Sequence, residues 1–179
     1  NMLRLAACGI IGLGAALLGT GAAWIVAMYR FPGHRVLEWA LLLPLAMPTY
    51  VIAYAYTDFL QYAGPLQGWL REWLGWSRED YWFPEVRSLG GAILIFGLVF
   101  YPYVYVLARA AFLERSATLM DAARCLGASQ TRAFFRIALP LARPALAGGV
   151  ALVVMESLAE FGAVSYFGVP TFTTGIYRA

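Results

Sequence analysis

The sequence contains no lysine, because all thirteen of its basic residues are arginine. A phosphate-binding loop that hydrolyses ATP needs a lysine against the nucleotide phosphates, so this chain cannot hydrolyse ATP by that route. Histidine and cysteine are scarce as well, with His34 alone and two distant cysteines, Cys8 and Cys125. Neither a disulfide framework nor a zinc site is therefore expected. We expect no cofactor in this chain and assign no metal site.

Charge is the next deficit, since 13% of the residues are charged and 61% are hydrophobic. Ordinary soluble domains contain about 25% charged and about 45–50% apolar residues. The excess of apolar surface favours lipid as the surrounding solvent. The arginines flank apolar runs and do not form a basic soluble face, so no nucleic-acid partner is expected.

Four apolar runs are long enough to cross a membrane, which takes roughly 20 residues. The first three carry no charge, whereas the fourth contains Glu156 and Glu160. Pro44 and Pro48 predict a bend in the second run, which lipid tolerates only where neighbouring groups or water satisfy the freed carbonyls. The predicted spans are 5–28, 39–57, 88–108 and 144–167.

Small residues at one-turn spacing in the first span, Gly12 with Ala16 and Ala15 with Gly19, predict close packing of helix backbones. The fold class is therefore an all-α, polytopic transmembrane helical bundle. Asn1 and Ala179 do not resemble natural chain ends, so we expect a partial chain of a single transmembrane domain.

Loop charges predict the orientation. The link 29–36 has two arginines and no acid, and the link 109–143 has six arginines against two acids. The link 64–87 has three arginines against four acids. Since arginine favours the cytoplasmic side, the first two links are predicted to be cytoplasmic and the third external. Glu38, near the cytoplasmic boundary, is expected to be solvated, and His34 to be a simple loop residue.

The cytoplasmic link 115–143 is predicted to contain two short helices. Ser116 or Thr118 is expected to cap the first helix, and Gly127 to end it. The second is expected over 129–138 and to end at Leu139-Pro140, with Pro144 opening the next span. Its aromatic patch, flanked by arginines, fits either a helix resting on lipid headgroups or a knob that docks into a partner's groove.

The spacing in this link resembles the signature loop of ABC importer permeases. That signature is Glu-Ala-Ala, three residues, Gly, nine residues, Ile, one residue, Leu-Pro. The chain matches it with Asp121 in place of Glu as the single departure. In that family the loop forms the coupling helix, which sits in a cleft of the ATP-binding subunit. The resemblance implies coupling roles for Asp121, Ala122, Ala123, Gly127, Ser129, Arg132, Phe134, Phe135, Arg136, Ile137, Leu139 and Pro140.

The resemblance further implies a type I ABC importer permease-like fold and a multi-pass protein of the bacterial inner membrane. It would act by alternating access and catalyse no reaction itself. The implied partners are a cytoplasmic ATP-binding subunit, a periplasmic or lipid-anchored substrate-binding protein, a second permease half or subunit, and membrane lipid.

Further strings resemble the ferric-iron branch of that family. Thiamine, sulfate and polyamine permeases share the coupling loop and remain alternatives for the substrate. The strings lie at 28–33, 42–48, 54–59, 155–162, 166–169 and 172–178.

Iron also has some support from chemistry, because Fe³⁺ is a hard cation that prefers oxygen ligands. Glu156 and Glu160 share one helix face, and a charged side chain at a span centre costs roughly 2.5–3.5 kcal/mol. We therefore predict a translocation pathway at Glu156 and Glu160, with Tyr54 and Asp58 as weaker candidates. A structural bond, for instance to Ser157, is the alternative for the glutamates, and hydration at the outer end of the span is the alternative for Asp58.

Two hypotheses of other classes remain. An intramembrane enzyme could use Glu156 and Glu160 as acid and base. A purely structural membrane subunit would leave the bent span and the paired glutamates without a purpose.

Aromatic residues mark two further positions. In the external link, three tryptophans at helical spacing predict a helix on the outer leaflet, with docking of the binding protein as the alternative. In the third span, three tyrosines around Pro102 are predicted to pack and anchor. These residues are Trp69, Trp73 and Trp76, and Tyr101, Tyr103 and Tyr105.

Overall fold

The computed structural model describes residues 2–75 and 88–160, and the regular structure in those ranges is entirely helical. The all-α prediction is thus confirmed. In chain order the elements are α1 (Met2–Met28), α2 (His34–Ala40), a 3-10 turn (Leu43–Ala46), α3 (Thr49–Leu60), α4 (Pro65–Leu74), α5 (Leu89–Ala111), a π-turn (Phe112–Ser116), α6 (Ala117–Cys125), α7 (Gln130–Ala133), a second π-turn (Phe134–Ala138) and α8 (Leu139–Ala159).

Within these residues, three helices are long and apolar enough to cross a membrane: Ala6–Met28, Leu89–Glu114 and Gln130–Ala159. They pack together as a bundle in which α5 contacts both α1 and α8. Rings of Trp24 and Phe112 meet near the carboxyl ends of α1 and α5, so these two helices run parallel. Gly12 of α1 faces Val150 and Val154 of α8, whereas Trp24, nearer the carboxyl end of α1, meets Phe134 just before α8, so these two helices run in opposite directions.

The small residues of α1 allow this close packing, as predicted. Ala15 is fully buried. A Cβ added at Gly19 would lie 2.7 Å from the carbonyl oxygen of Tyr101 and 2.8 Å from Cβ of Val104. Only a residue without a side chain fits there, because the clash would be with the backbone of α5.

The second predicted span, 39–57, is not one bent helix. The chain is instead divided into α2, the 3-10 turn and α3, with Pro44 in the first turn of the 3-10 piece and Pro48 capping α3. It still passes along the whole bundle. The segment contacts the carboxyl half of α5 through Glu38 and Leu41, and the amino half through Ile52 and its neighbours. The segment therefore runs antiparallel to α5, as the alternating topology requires.

The link predicted to be cytoplasmic also differs from the prediction of two isolated helices. No helix starts at Ser116 or Thr118, because α5 continues through the first π-turn into α6. The prediction that Leu139-Pro140 ends a helix is wrong, because α7, the second π-turn and α8 form one continuous helix. Pro144 lies inside that helix and does not open it. A π-turn next to Pro140 absorbs a residue that cannot donate a backbone hydrogen bond.

The external tryptophans lie partly in a helix, as predicted. The rings of Trp69 and Trp73 stack on α4 with centroids 5.5 Å apart, and both are largely exposed. Gly75, with φ of 64°, ends the helix. Trp76, most of the acidic residues of the external link, and residues 161–167 of the fourth predicted span lie outside the described residues.

Candidate functional site

The turn between α6 and α7 is built around Gly127. Its φ of 77° lies in the left-handed region, where a side chain is strained. The N–H of Ala128 donates to the carbonyl of Ala123 at 2.9 Å, which is the bond that closes a helix end of this type. Gly127 thus ends α6, as the sequence predicted. Ser129 then caps α7, its hydroxyl accepting from the N–H of Arg132 at 3.4 Å.

One face of this link packs against the spans. Ala123, Ala133 and Ala138 are buried with Phe112 of the first π-turn. Trp24 of α1 joins them, with its ring 4.4 Å from that of Phe134 and 5.6 Å from that of Phe112. These aromatic residues, Trp24, Phe112 and Phe134, are called the inner aromatic cluster below.

The other face of the link is exposed. Leu126 is 88% exposed and Phe135 is 61% exposed. The predicted coupling residues therefore divide between the two faces. Exposed are Asp121, Ala122, Gly127, Ser129, Arg132, Phe135 and Arg136; half-buried are Phe134, Ile137, Leu139 and Pro140; and Ala123 is buried.

Leu126 was not among the residues singled out from the sequence. A large apolar residue directly before a helix-ending glycine was the available signal. Its exposure depends on α6 turning its other face to the spans, which the sequence alone does not specify.

The broken second segment is held to α5 by polar contacts. The N–H of Leu42 donates to the carbonyl of Trp39 and not to that of Glu38. In the same way, the N–H of Leu45 donates to the carbonyl of Leu42 and not to that of Leu41. The carbonyls released in this way, on Glu38 and Leu41, are those that accept from tyrosine hydroxyls of α5. Tyr105 donates to Glu38 at 3.3 Å, and Tyr101 donates to Leu41 at 2.9 Å.

These tyrosines therefore do more than pack. A main-chain carbonyl inside a membrane protein needs a hydrogen-bond donor. The change from α-helical to 3-10 bonding leaves the carbonyls of Glu38 and Leu41 without a backbone N–H, and the two tyrosine hydroxyls take its place. Glu38 is also not simply solvated, because its carboxylate pairs with the guanidinium of Arg109. Sequence reasoning missed this pair, since its members are distant in the chain.

His34 begins α2 and donates from Nε2 to the carbonyl of Val26 at 2.6 Å. Val26 lies in the last turn of α1, where carbonyls have no partner within the helix. The lone histidine thus joins α2 to the end of α1.

The predicted pathway residues occupy two separate elements. Glu156 is exposed on α8, and the Glu160 N–H donates to its carbonyl at 2.9 Å where the helix ends. Tyr54 and Asp58 are exposed on one face of α3, and Asp58 accepts from Gln61 at 2.7 Å. The glutamates and the α3 pair do not form one site, because α3 packs mainly on α4 and α5, whereas α8 packs on α5 and α1.

The Ser157 hydroxyl does not bond to either glutamate. It donates to the carbonyl of Val153 at 2.7 Å, one turn back in α8. Within the described ranges, no three histidine, cysteine, aspartate or glutamate side chains come close enough together to hold a metal ion.

Comparison with known proteins places these features in a family. Residues 15–178 match the family model described as binding-protein-dependent transport system inner membrane component. The chain is 33% identical over 158 residues to a probable sulfate transport system permease protein of Nephroselmis olivacea, covering 84% of this chain and 51% of that protein.

Two other relatives carry different substrates in their names. The molybdenum transport system permease protein of Escherichia coli K12 is 33% identical over 145 residues, covering 81% of this chain and 60% of that protein. An Fe(3+)-transport system permease protein of Haemophilus influenzae is 29% identical over 178 residues, covering 99% of this chain and 30% of that protein.

The chain thus spans between about a third and three fifths of the length of these relatives. The family match extends over nearly all of the chain, and of the three apolar helices of membrane-crossing length in the described residues two lie within the match and the first overlaps it. The chain therefore belongs to the binding-protein-dependent transport system inner membrane components, a family of ABC transport permeases, and is a multi-pass inner-membrane protein.

Proposed function

We propose that the chain is the permease part of an ATP-driven importer for ferric iron, and that a separate ATP-binding subunit docks on the exposed face of the link 117–138. Leu126 and Phe135 supply the apolar centre of that face, and Arg132 and Arg136 its charged rim. A buried apolar anchor inside a polar rim is the usual anatomy of a protein interface.

The inner aromatic cluster supports a mechanical role for this face. Phe134 is adjacent in sequence to the exposed Phe135, and their rings are 4.9 Å apart. Phe134 also contacts Trp24 of α1 and Phe112 of the first π-turn. A push on Phe135 would therefore reach two spans through direct ring contacts. Packed rings transmit displacement well, because protein interiors have low compressibility.

Cross-linking tests the docking face. A photoreactive phenylalanine derivative at position 126 or 135, in the full-length permease with its ATP-binding subunit, is expected to cross-link to that subunit. The same derivative at Trp73, on the opposite end of the bundle, is the matched control and is expected to give no such product. Equal labelling at 73 and 135, or none at 126 and 135, would overturn the assignment of this face.

The sign of charge in the spans supports a cation as cargo. Within the described residues of the four predicted spans, the charged side chains are Glu156 and Glu160, and both are negative. Carboxylate oxygens suit Fe³⁺, whereas an oxyanion passing the glutamates would be repelled.

Sulfate and molybdate are the competing cargoes, because relatives with those substrates in their names match the chain at slightly higher identity than the Fe(3+) relative. Uptake of radioactive Fe³⁺, sulfate and molybdate by cells carrying the complete transporter separates these possibilities. Iron uptake that depends on the permease supports the proposal. Uptake of sulfate or molybdate without iron would replace the substrate and leave the permease assignment intact.

The glutamates can be tested in the same assay. We expect Glu156→Gln with Glu160→Gln to lower Fe³⁺ uptake by at least about tenfold, since even residues that only orient metal ligands cost 10–100-fold in affinity when replaced. Glu114→Gln, an exposed glutamate at the far end of α5, is the control and should leave uptake unchanged. Wild-type uptake in the double variant would remove the glutamates from the pathway.

The remaining partners follow from the family. A substrate-binding protein delivers the cargo on the outer side, and a second permease half completes the pathway between the two subunits. ATP binding then moves the link 117–138, and the spans reorient around the cargo. The chain itself makes and breaks no covalent bond.

A further inference from the structure

A cavity of about 730 Å³ lies at the cytoplasmic end of the bundle. Its walls come from the last turn of α1, the link 29–36, and the region of α5 and the first π-turn around Arg109 and Leu113. It is distinct from the exposed face around Leu126 and Phe135, neither of which lines it.

The cavity is basic. Three arginines line it, Arg30 and Arg35 from the link and Arg109 from α5, and no carboxylate is among the described residues of its wall. The Arg109 guanidinium pairs with Glu38 outside the wall, so a formal charge of two remains from Arg30 and Arg35. The Nε of Arg109 is buried and makes no hydrogen bond within the described structure.

This convergence goes beyond the usual excess of arginine in cytoplasmic loops. That rule places Arg30 and Arg35 on the inner side of the membrane, but it does not gather them. The fold adds Arg109, about seventy residues further along the chain, to the same cavity. His34 holds the link in place by its bond to Val26, one of the wall residues.

The wall of the cavity is also partly apolar. Val26, Ala27 and Leu113 belong to its wall, as does Val36, which is 74% exposed. Apolar side chains exposed at the level where α1 ends would face the interface between headgroups and acyl chains. A ligand that contacts both the basic and the apolar residues of the wall needs an anionic group for the arginines and a hydrocarbon part for the apolar side chains.

We infer that this cavity binds the phosphate headgroup of an anionic phospholipid from the inner leaflet. Basic pockets between membrane helices on the cytoplasmic side are suited to such headgroups. One guanidinium group can donate two parallel hydrogen bonds to two oxygens of a phosphate, which a compact ammonium group cannot do. A free phosphate would use the arginines but would leave the apolar wall without a partner.

Native mass spectrometry of the full-length permease complex in detergent tests this inference. The probes are phosphatidylglycerol, phosphatidylcholine and inorganic phosphate, each titrated separately. We expect bound phosphatidylglycerol with clear preference over phosphatidylcholine, and no displacement by millimolar inorganic phosphate. Equal binding of the two lipids would overturn the inference, and displacement of the lipid by inorganic phosphate would assign the cavity to free anions instead.

Variants locate the binding. One arginine near an anionic membrane surface raises the affinity about fivefold. Arg30→Gln with Arg35→Gln should therefore weaken phosphatidylglycerol binding about 30-fold. Arg143→Gln is the matched control, because Arg143 is an exposed arginine in the first turns of α8 that does not line the cavity. Its binding should stay within about twofold of wild type, since long-range attraction is largely screened.

A second variant separates binding from folding. Arg30→Lys with Arg35→Lys keeps the charge but loses the paired hydrogen bonds, and should retain the preference for phosphatidylglycerol at reduced affinity. Unchanged lipid binding in the glutamine variant would overturn the inference. Equal losses in the glutamine and lysine variants together with a lowered unfolding temperature would also count against it, because the arginines would then act through the fold.

Discussion

The first span and the segment 34–60 are similar in length and apolar character, yet one is a continuous helix and the other is in three pieces. The backbone hydrogen bonds of α1 are made within the helix. Its small residues allow the neighbouring helices to pack closely against it. The broken segment releases carbonyls that α5 must satisfy with side chains. One region is therefore held by close contact of backbones, and the other by hydrogen bonds and an ion pair.

The difference begins with proline. Pro44 and Pro48 remove two backbone donors from the middle of the segment, and α-helical bonding is interrupted there. Pro140 and Pro144 have the same spacing inside α8, but there the helix continues. A π-turn precedes Pro140, whereas Pro44 lies in a 3-10 turn. The same spacing of prolines is therefore compatible with a continuous helix in one place and with an interrupted helix in the other.

The largest effect is expected from filling the contact between α1 and α5. Gly19→Leu would place side-chain atoms against the backbone of Tyr101 and Tyr105, where no rotamer change can relieve the clash. Overpacking of this kind costs about 1–3 kcal/mol and occasionally more, and a backbone clash belongs at the upper end. The loss of stability is measured by thermal unfolding of the purified permease, monitored as the loss of the monodisperse peak.

Gly14→Leu is the matched control, since a Cβ at Gly14 has no atom within 4 Å. It should unfold at close to the wild-type temperature. If the two variants lose stability equally, α1 is not held by close backbone contact, and the first half of the comparison fails.

The second effect concerns the carbonyls of the broken segment. Removing both hydroxyls with Tyr101→Phe and Tyr105→Phe should cost about 1–2 kcal/mol together, from two hydrogen bonds of modest net strength. The loss should be local, so amide hydrogen exchange over residues 37–46 is expected to accelerate while exchange in the middle of α1 does not.

Tyr103→Phe is the control here, because Tyr103 lies between the other two on α5 and makes no hydrogen bond to the broken segment among the described contacts. Its exchange pattern should match the wild type. Unchanged exchange in the double variant would mean that the 3-10 turn is stable without the tyrosines, and that the hydroxyls only pack.

Structural features that depend on neighbouring residues in the chain could be predicted from the sequence, whereas features that depend on distant residues could not. Uninterrupted apolar runs predicted α1 and α5, and small residues predicted their close contact, because these features are local. The left-handed turn at Gly127 was also predictable, since glycine spacing in the signature loop carries it. The continuation of the helix past Pro140 was not, because the π-turn that accommodates this proline has no local sequence signal of that kind.

The candidate site shows the same limit. The resemblance predicted a coupling role for this link but not which of its faces points outward, so the buried Ala123 was included among the coupling residues and the exposed Leu126 was left out. Glu38 was expected to be solvated because its partner, Arg109, is 71 residues away. A pattern along the chain predicts an element, whereas the partner of a side chain requires the packed structure.

The smallest effect is expected from the ion pair of Glu38 and Arg109, which closes the cytoplasmic end of the broken segment. The two side chains are 23% and 28% exposed, so water and salt weaken their attraction. We expect a coupling energy of about 0.2–1 kcal/mol from a double-mutant cycle of Glu38→Gln and Arg109→Gln, measured by thermal unfolding at low and high salt. Glu114→Gln, an exposed glutamate near the same end of α5, should show no coupling to Arg109→Gln. A coupling well above this range that persists at high salt would mean that the segment is held chiefly by charge, with the tyrosine hydroxyls secondary.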